Sequence, residues 1–306
     1  MTEADIEDLA RTGVPAATTG PDSARALGDA VGALARAGLL APGEPAGTAD
    51  SANGLRAQVV GRPWAAVRPI LGSLGFAEAE AERDGSRTYA AYDPVADRWL
   101  RLRLEPVGAA GAGESDKDRG AGLVVAILGP DGAGKSTLTA AVAESFVLPV
   151  RQFYAGLYPA GRRRFRQPGL ATIALLLRLW RLAIRATWHR RRGRLVLFDR
   201  YAYDARLPLP RSAGRRTRLR RAILARSLPT PDLVVVLDAP AEVLLARRDE
   251  HPIEFIEAQR RRYAELAGSV PDAVIVDASA DADTVRRGVT ALIWARFAAR
   301  QARRDA

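Results

Sequence analysis

The run GPDGAGKST, residues 129–137, constrains this chain more than any other feature. It follows the apolar run LVVAIL (123–128) and leads into a helix read from Lys135 to Phe146. G-x-x-x-x-G-K-[ST] between a strand and a helix folds into a loop whose backbone N–H groups turn inward around a phosphate, with the helix dipole adding to the attraction. Gly129, Gly132 and Gly134 allow the turns, and Asp131 and Ala133 stand between them. Lys135 has the position that neutralises β- and γ-phosphate charge, and Ser136 the one whose hydroxyl reaches Mg²⁺. Thr137 closes the motif. Lys135 is one of two lysines in a chain with 46 basic residues, the other being Lys117.

Around this loop, apolar runs alternate with helical patterns. RLVLFD (194–199), DLVVVLD (232–238) and AVIVDAS (273–279) read as strands, with a shorter strand from Arg151 to Tyr154. Helices are read from Gly169 to about Arg192 and from Asp281 to about Ala302. Continuous Val/Leu/Ile strands separated by helices predict a parallel sheet covered on both faces, an α/β architecture. The first part of the chain reads differently. Residues 1–50 form a partly disordered Ala/Gly/Pro-rich arm with one helix from Asp22 to about Leu40. Residues 51–107 read as a small α+β unit: a strand at LRAQVV (55–60), a helix from Pro63 to Leu74 with Pro69 as a candidate interruption, and a hairpin turning at Asp93-Pro94. GAAGAGESDKDRGAG, residues 108–122, has the composition of a linker and places the second domain at 123–306.

Composition narrows the chemistry. With no cysteine, disulfides, thiolate zinc sites and a cysteine nucleophile are excluded. The two histidines, His189 and His251, leave little for a His-built metal centre, and both are expected at the surface. The acidic N-terminus MTEADIEDLA lacks a basic n-region and an apolar h-region, so a cytoplasmic chain is expected. The net charge of +11 is concentrated in residues 151–230, which carry 21 arginines against Asp199 and Asp204 alone. Arg178, Arg181, Arg185 and Arg192 recur at helical spacing there, with Leu175, Leu176, Leu179 and Leu182 supplying apolar faces. A solvated face, a site for a phosphorylated acceptor, an anionic membrane and nucleic acid all stand as readings of that stretch. Trp180 and Trp188 on the same helix read as core or interface packing rather than as base-stacking platforms.

A phosphate loop leaves the reaction open. No Asn-Lys-x-Asp guanine-reading motif is present. Asp199-Arg200-Tyr201 ends the strand RLVLFD, at the edge where ligands of such sheets bind. Asp199 there suits Mg²⁺ or its waters, and Arg200 suits bidentate grip of an acceptor phosphate. GPDGAGKST, LVLFDRYAYD, LPTPDLVVVLDAPAEVLLARRDE and IEAQRRRYAELA, in this order, resemble the thymidylate kinase family of nucleoside monophosphate kinases over roughly residues 122–300. The resemblance implies a P-loop three-layer αβα domain with a five-stranded parallel sheet, and Mg-ATP as phosphoryl donor. It implies Asp131 near the acceptor's sugar hydroxyl, Asp199 working with Mg²⁺ and Arg200 on the acceptor phosphate. Arg247 and Arg248 fall where the family's lid supplies arginine to the transferring group, and Arg260 and Tyr263 match its R-x-x-Y.

Two departures matter. The lid between Arg248 and Ile256 is short and carries His251-Pro252, and residues 155–192 lack the family's base-reading pattern. The expectation is therefore γ-phosphoryl transfer to a nucleoside monophosphate, dTMP-like, or to another small phosphorylated or hydroxylated acceptor, with dTMP itself a poor one. The alternative is an ATP-binding regulatory module that docks on membrane or nucleic acid through the basic helix. A homodimer stays open. The N-terminal unit faintly resembles nucleotidyltransferase-type domains but has no Asp-x-Asp on its strands, which leaves a structural or substrate-selecting role.

Overall fold

In the computed structural model the described residues are 23–42, 48–51, 54–82, 84–107, 122–157, 168–207, 214–248 and 251–305. Most of the proposed arm and all but the last residue of the proposed linker lie outside them. The chain divides into two compact units, with Gly122–Arg286 forming the second. The residues from Arg287 onward cluster with the first, although the sequence pattern keeps them with the second.

The first unit holds a mixed sheet of five strands: β1 (Thr48–Ser51), β2 (Gly54–Val60), β3 (Ala77–Ala81), β4 (Arg87–Asp93) and β5 (Arg98–Val107), in the order β1-β2-β5-β4-β3. β2 and β5 run parallel and the other pairs antiparallel. In β5 the buried Leu100, Leu102 and Leu104 alternate with the less buried Arg101 and Arg103, the period-2 signature of a sheet with one covered face. That face packs with Leu27, Val31 and Leu34 of helix α1 (Ser23–Arg36) and Trp64, Val67 and Leu71 of α2 (Trp64–Ser73). Pro69 does not interrupt α2, whose three buried side chains anchor it on both sides of the proline. Asp93 caps the hairpin turn by accepting from the N–H groups of Val95 and Ala96 at 3.0 and 3.1 Å. The C-terminal residues join this unit through specific contacts. Trp294 meets Trp99 edge-on at 5.0 Å, and the Gln301 amide exchanges two hydrogen bonds with the Glu78 backbone. The Glu78 carboxylate is buried between Arg87 and Arg68, at 2.7 and 3.1 Å. Among the described residues no group of three acidic or histidine side chains could hold a metal.

The second unit is built on an all-parallel sheet of β6 (Val124–Leu128), β7 (Val150–Tyr154), β8 (Leu195–Asp199), β9 (Leu233–Asp238) and β10 (Ala273–Asp277), ordered β10-β9-β6-β8-β7. All five residues of β6 are buried, so both faces of the central strand are covered. The flanking helices are α3 (Lys135–Ser145), α4 (Pro168–Arg191), α5 (Arg215–Ala225), α6 (Ala241–Arg247) and α7 (Ile253–Ser269), and α8 (Ala282–Asp305) ends the chain. This is the α/β P-loop fold. Asp232 ties the start of β6 to the end of α4, accepting from the Val124 N–H at 2.9 Å and pairing with Arg190 at 3.2 Å.

One expectation about α4 needs correction. His189 is buried rather than superficial, its ring against Phe153 and its Nδ1 2.9 Å from Arg194 Nη1. Burial, then the charge of Arg194, hold its pKa below the usual imidazole value. Trp180 is 66% exposed, which sets aside core packing and leaves interface packing of the two readings. No helix among the described residues is long and apolar enough to cross a membrane.

Candidate active site

The site assembles at the carboxyl ends of the strands, where β6 and β8 lie side by side and Ile127 is in register with Asp199. From β6 the chain turns through the phosphate loop. Gly129 has φ +140°, and a Cβ there would lie 2.4 Å from the Leu237 carbonyl oxygen, so only glycine lets the loop press against the end of β9. Gly132, with φ +84°, makes a similar close approach to the Leu244 carbonyl oxygen. Lys135 opens α3 and curls back, donating from Nζ to the Gly129 and Pro130 carbonyls at 2.9 and 2.5 Å. Burial, then the nearby Arg200 charge, push its ammonium pKa down to about 8, against the opposing pull of Asp131, Asp204 and Asp199.

Ser136, one residue on, donates from Oγ to Asp199 Oδ2 at 2.5 Å. The pair brings a hydroxyl and a carboxylate together beside the loop. Such hard oxygen donors suit Mg²⁺, which takes one or two protein ligands plus phosphate oxygens and water.

Arg200 leaves β8 in a left-handed backbone conformation, φ +63°, with its N–H donating to the Ile127 carbonyl at 3.1 Å. An L-residue in this region carries a cost of about 1–2 kcal/mol, and such outliers concentrate at functional sites. Here the turn directs the guanidinium between two carboxylates. Nη2 pairs with Asp131 of the phosphate loop, and Nη1 lies 3.7 Å from Asp204 in the short 3₁₀ turn Ala202–Arg206. Burial would raise the Asp131 pKa, but the Arg200 and Lys135 charges hold it below the usual carboxylate value. For Asp204 burial wins and the pKa is raised, although Arg200 and the Tyr263 hydroxyl oppose it.

Helix α7 braces these groups from one face. Tyr263 donates to Asp204 Oδ1 at 3.0 Å. One turn earlier, the Asp131 N–H donates to Gln259 Oε1 at 3.2 Å while Gln259 Nε2 donates to Asp131 Oδ2 at 3.4 Å. Arg260 holds Asp238, at the end of β9, through two bonds of 2.8 and 2.9 Å. Arg221 of α5 donates to the backbone carbonyls of Asp204 and Ala205 at 2.6 and 3.0 Å.

Two cavities meet at the Asp131–Arg200 pair. The larger, about 870 Å³, is lined by the loop from Asp131 to Thr137, by Asp199 and Arg200, and by Arg247 and Arg248. The smaller, about 440 Å³, is lined by Tyr154, Leu157, Phe255, Arg221, Arg262 and Tyr263 among others. Asp131, Tyr154 and Arg200 border both. Of the residues singled out from sequence, all those from Asp131 to Thr137, with Asp199, Arg200, Arg247 and Arg248, thus face one cavity, and Gly129 shapes the loop from behind. Arg247 Nη1 donates to the Ala278 carbonyl at 2.8 Å. Sequence reasoning missed Gln259, Asp204, Arg221 and Arg262. Gln259 and Tyr263 are four apart and so share a helix face, a spacing that could have linked them.

No family model matches the chain. The thymidylate kinase of Xanthomonas campestris pv. campestris (strain B100) is 32% identical, the match spanning 58% of this chain and 86% of the relative. That of Xanthomonas euvesicatoria pv. vesicatoria (strain 85-10) is 31% identical over the same shares. Among solved structures, thymidylate kinase from Candida albicans aligns with 51% of this chain and 84% of its own at 19% identity and TM-score 0.38. Deoxyadenosine kinase from M. mycoides aligns with 54% and 95% at 16% identity and TM-score 0.42. A phosphate loop with its lysine and serine in place, next to a strand-terminal Asp-Arg pair, is what a P-loop nucleotide kinase requires, and with these sequence matches the chain belongs to the thymidylate kinase family.

Proposed function

We propose that the protein transfers the γ-phosphoryl group of Mg-ATP to a nucleoside monophosphate. The observation that carries this reading is the pair of adjoining cavities, one walled by the phosphate loop and the other by arginines, with Asp131 and Arg200 between them. ATP occupies the larger cavity, its β- and γ-phosphates cradled by the loop N–H groups and neutralised by Lys135. Ser136 and Asp199 would hold Mg²⁺, which when bound supplies charge neutralisation on the phosphate oxygens. The acceptor occupies the smaller cavity with its phosphate on Arg200, and Asp131 takes its sugar hydroxyl. Arg247 and Arg248 stabilise the charge that develops on the transferring group, a contribution on the order of 10³-fold or more for a well-placed arginine. No residue needs to form a covalent bond. The site works by positioning and electrostatics.

An ATP-binding switch needs no second arginine-lined cavity, and this favours the enzyme over the regulatory module. The test is a panel of nucleoside and nucleoside monophosphate acceptors with Mg-ATP, scored by ADP release above the acceptor-free rate. At least one monophosphate should stimulate release strongly, with dTMP a weak acceptor. Stimulation by unphosphorylated nucleosides alone refutes the monophosphate reading.

A further inference from the structure

Asp204 is a buried carboxylate that the phosphoryl-transfer reading leaves without a task. It sits in the 3₁₀ turn Ala202–Arg206 and lines the smaller, acceptor cavity. Burying a carboxylate is costly unless polar partners surround it. Here they do. Tyr263 of α7 donates to Oδ1 at 3.0 Å. Arg221 of α5 clamps the turn itself, donating to the backbone carbonyls of Asp204 and Ala205 at 2.6 and 3.0 Å. The Asp204 N–H donates to the Tyr201 carbonyl at 3.1 Å. Two helices thus fix the place of one carboxylate. Its other oxygen, Oδ2, faces Arg200, four residues earlier, whose Nη1 lies 3.7 Å away.

The two carboxylates on Arg200 are held differently. Asp131 belongs to the phosphate loop, borders both cavities and keeps 27% of its side chain exposed, against 11% for Asp204. On the acceptor reading proposed above, the incoming phosphate and sugar hydroxyl draw Asp131 off the guanidinium. We propose that Asp204 is the positioning residue for Arg200, keeping its guanidinium aimed at the acceptor phosphate once Asp131 lets go. This inference rests on that reading. An arginine without a partner samples many rotamers, and ordering it again would weigh against each binding event. Asp204 cannot follow Asp131 away, because Tyr263 and the clamped turn keep it in place. At 3.7 Å the contact is longer than a hydrogen bond, so Asp204 orients Arg200 through charge and leaves the Nη1 hydrogens for the phosphate.

The test is steady-state kinetics of the full chain with Mg-ATP and the best monophosphate of the acceptor panel, on Asp204→Asn, Arg200→Ala and the double variant. Asparagine keeps the shape and an oxygen for the Tyr263 hydroxyl while removing the charge. Asp204→Asn should raise acceptor KM about ten-fold, with kcat and the Kd of an ATP analogue each moving less than about three-fold. Introduced into Arg200→Ala, the same change should add less than about two-fold, because the side chain it positions is gone. A purely structural role would carry its full penalty into that background. Tyr263→Phe loosens the carboxylate but leaves its charge, and should raise acceptor KM about three-fold. Binding of the ATP analogue verifies folding, and if Asp204→Asn fails that check the same cycle run with Tyr263→Phe decides. An acceptor KM unchanged in both single variants overturns the proposal, as does an undiminished penalty without Arg200. So does a lowered KM in Asp204→Asn, which would mean that the carboxylate only repels the phosphate. A panel in which no monophosphate is accepted overturns the acceptor reading and this inference together, whereas normal turnover with an additive double variant overturns the inference alone.

Discussion

Replacing Arg200 tests the division of labour at the site. The guanidinium pairs with Asp131 and lies 3.7 Å from Asp204, and its side chain is 27% exposed. Arg200→Ala leaves two carboxylates, 27 and 11% exposed, facing the same space without their shared cation. Full burial would make the loss of one partner cost about 3–5 kcal/mol. With this partial exposure about 1–3 kcal/mol is the appropriate scale, read as a shift in the urea midpoint of the nucleotide-binding unit. The kinetic effect is separate. If the acceptor phosphate sits on Arg200 as proposed, a charge-assisted bidentate contact would hold in ground and transition states alike, so its loss should raise acceptor KM about 30- to 100-fold, equivalent to about 2–3 kcal/mol, with a smaller change in kcat. Arg200→Lys should rescue little, because a point charge lacks the planar two-donor fork. Backbone geometry adds an internal control. At φ +63° glycine escapes the left-handed penalty, so Arg200→Gly should be at least as stable as Arg200→Ala while sharing its kinetic defect. Steady-state kinetics against both substrates, with urea unfolding of all three variants, provide the data. An unchanged acceptor KM in Arg200→Ala would mean that no acceptor phosphate sits there, and the monophosphate assignment would fall.

Other perturbations address the donor side. Lys135 has its pKa pushed down to about 8, so above that pH the free protein must take up a proton to bind phosphate. The Kd for an ATP analogue, measured by titration calorimetry from pH 7 to 10, should rise up to about ten-fold per unit above 8, and Lys135→Ala should flatten the slope. Arg247→Ala and Arg248→Ala should lower kcat with little effect on either KM if they meet charge only in the transition state. If neither falls by more than a few-fold, the lid assignment fails. Gly129→Ala places a Cβ 2.4 Å from the Leu237 carbonyl in a backbone geometry alanine avoids, so nucleotide affinity should fall at least ten-fold by the same calorimetry.

The parts of this structure visible in the sequence are those with strong local codes. LVVAIL and DLVVVLD read as buried strands, and the glycine-lysine spacing after LVVAIL specifies the phosphate loop and the start of α3. The phosphate-side residues were found because they are close in sequence or end strands. β3 was missed because AEAEA carries no strand propensity. Pairing with β4 and the burial of Ala77 and Glu78 make it a strand. His189 could not be placed because its burial depends on Phe153 and Arg194, which only the sheet brings to it. The contacts of Trp294 with Trp99 and of Gln301 with Glu78 join residues some two hundred positions apart, which no local pattern in the sequence announces. Gln259 was invisible because a glutamine in a charged helix has no code for the aspartate it holds 128 residues away.

The pairing of Asp131 with Arg200 also has a consequence for selectivity. An acceptor phosphate that met the guanidinium as proposed would compete with a carboxylate already paired to it. A phosphate dianion offers more charge than the carboxylate it displaces and frees Asp131 to accept from a hydroxyl. A neutral nucleoside of the same shape would bring no charge to that exchange, and the Asp131–Arg200 pair would stay in place. On the proposed reading, that one ion pair would add a criterion of charge to whatever outline the acceptor cavity selects.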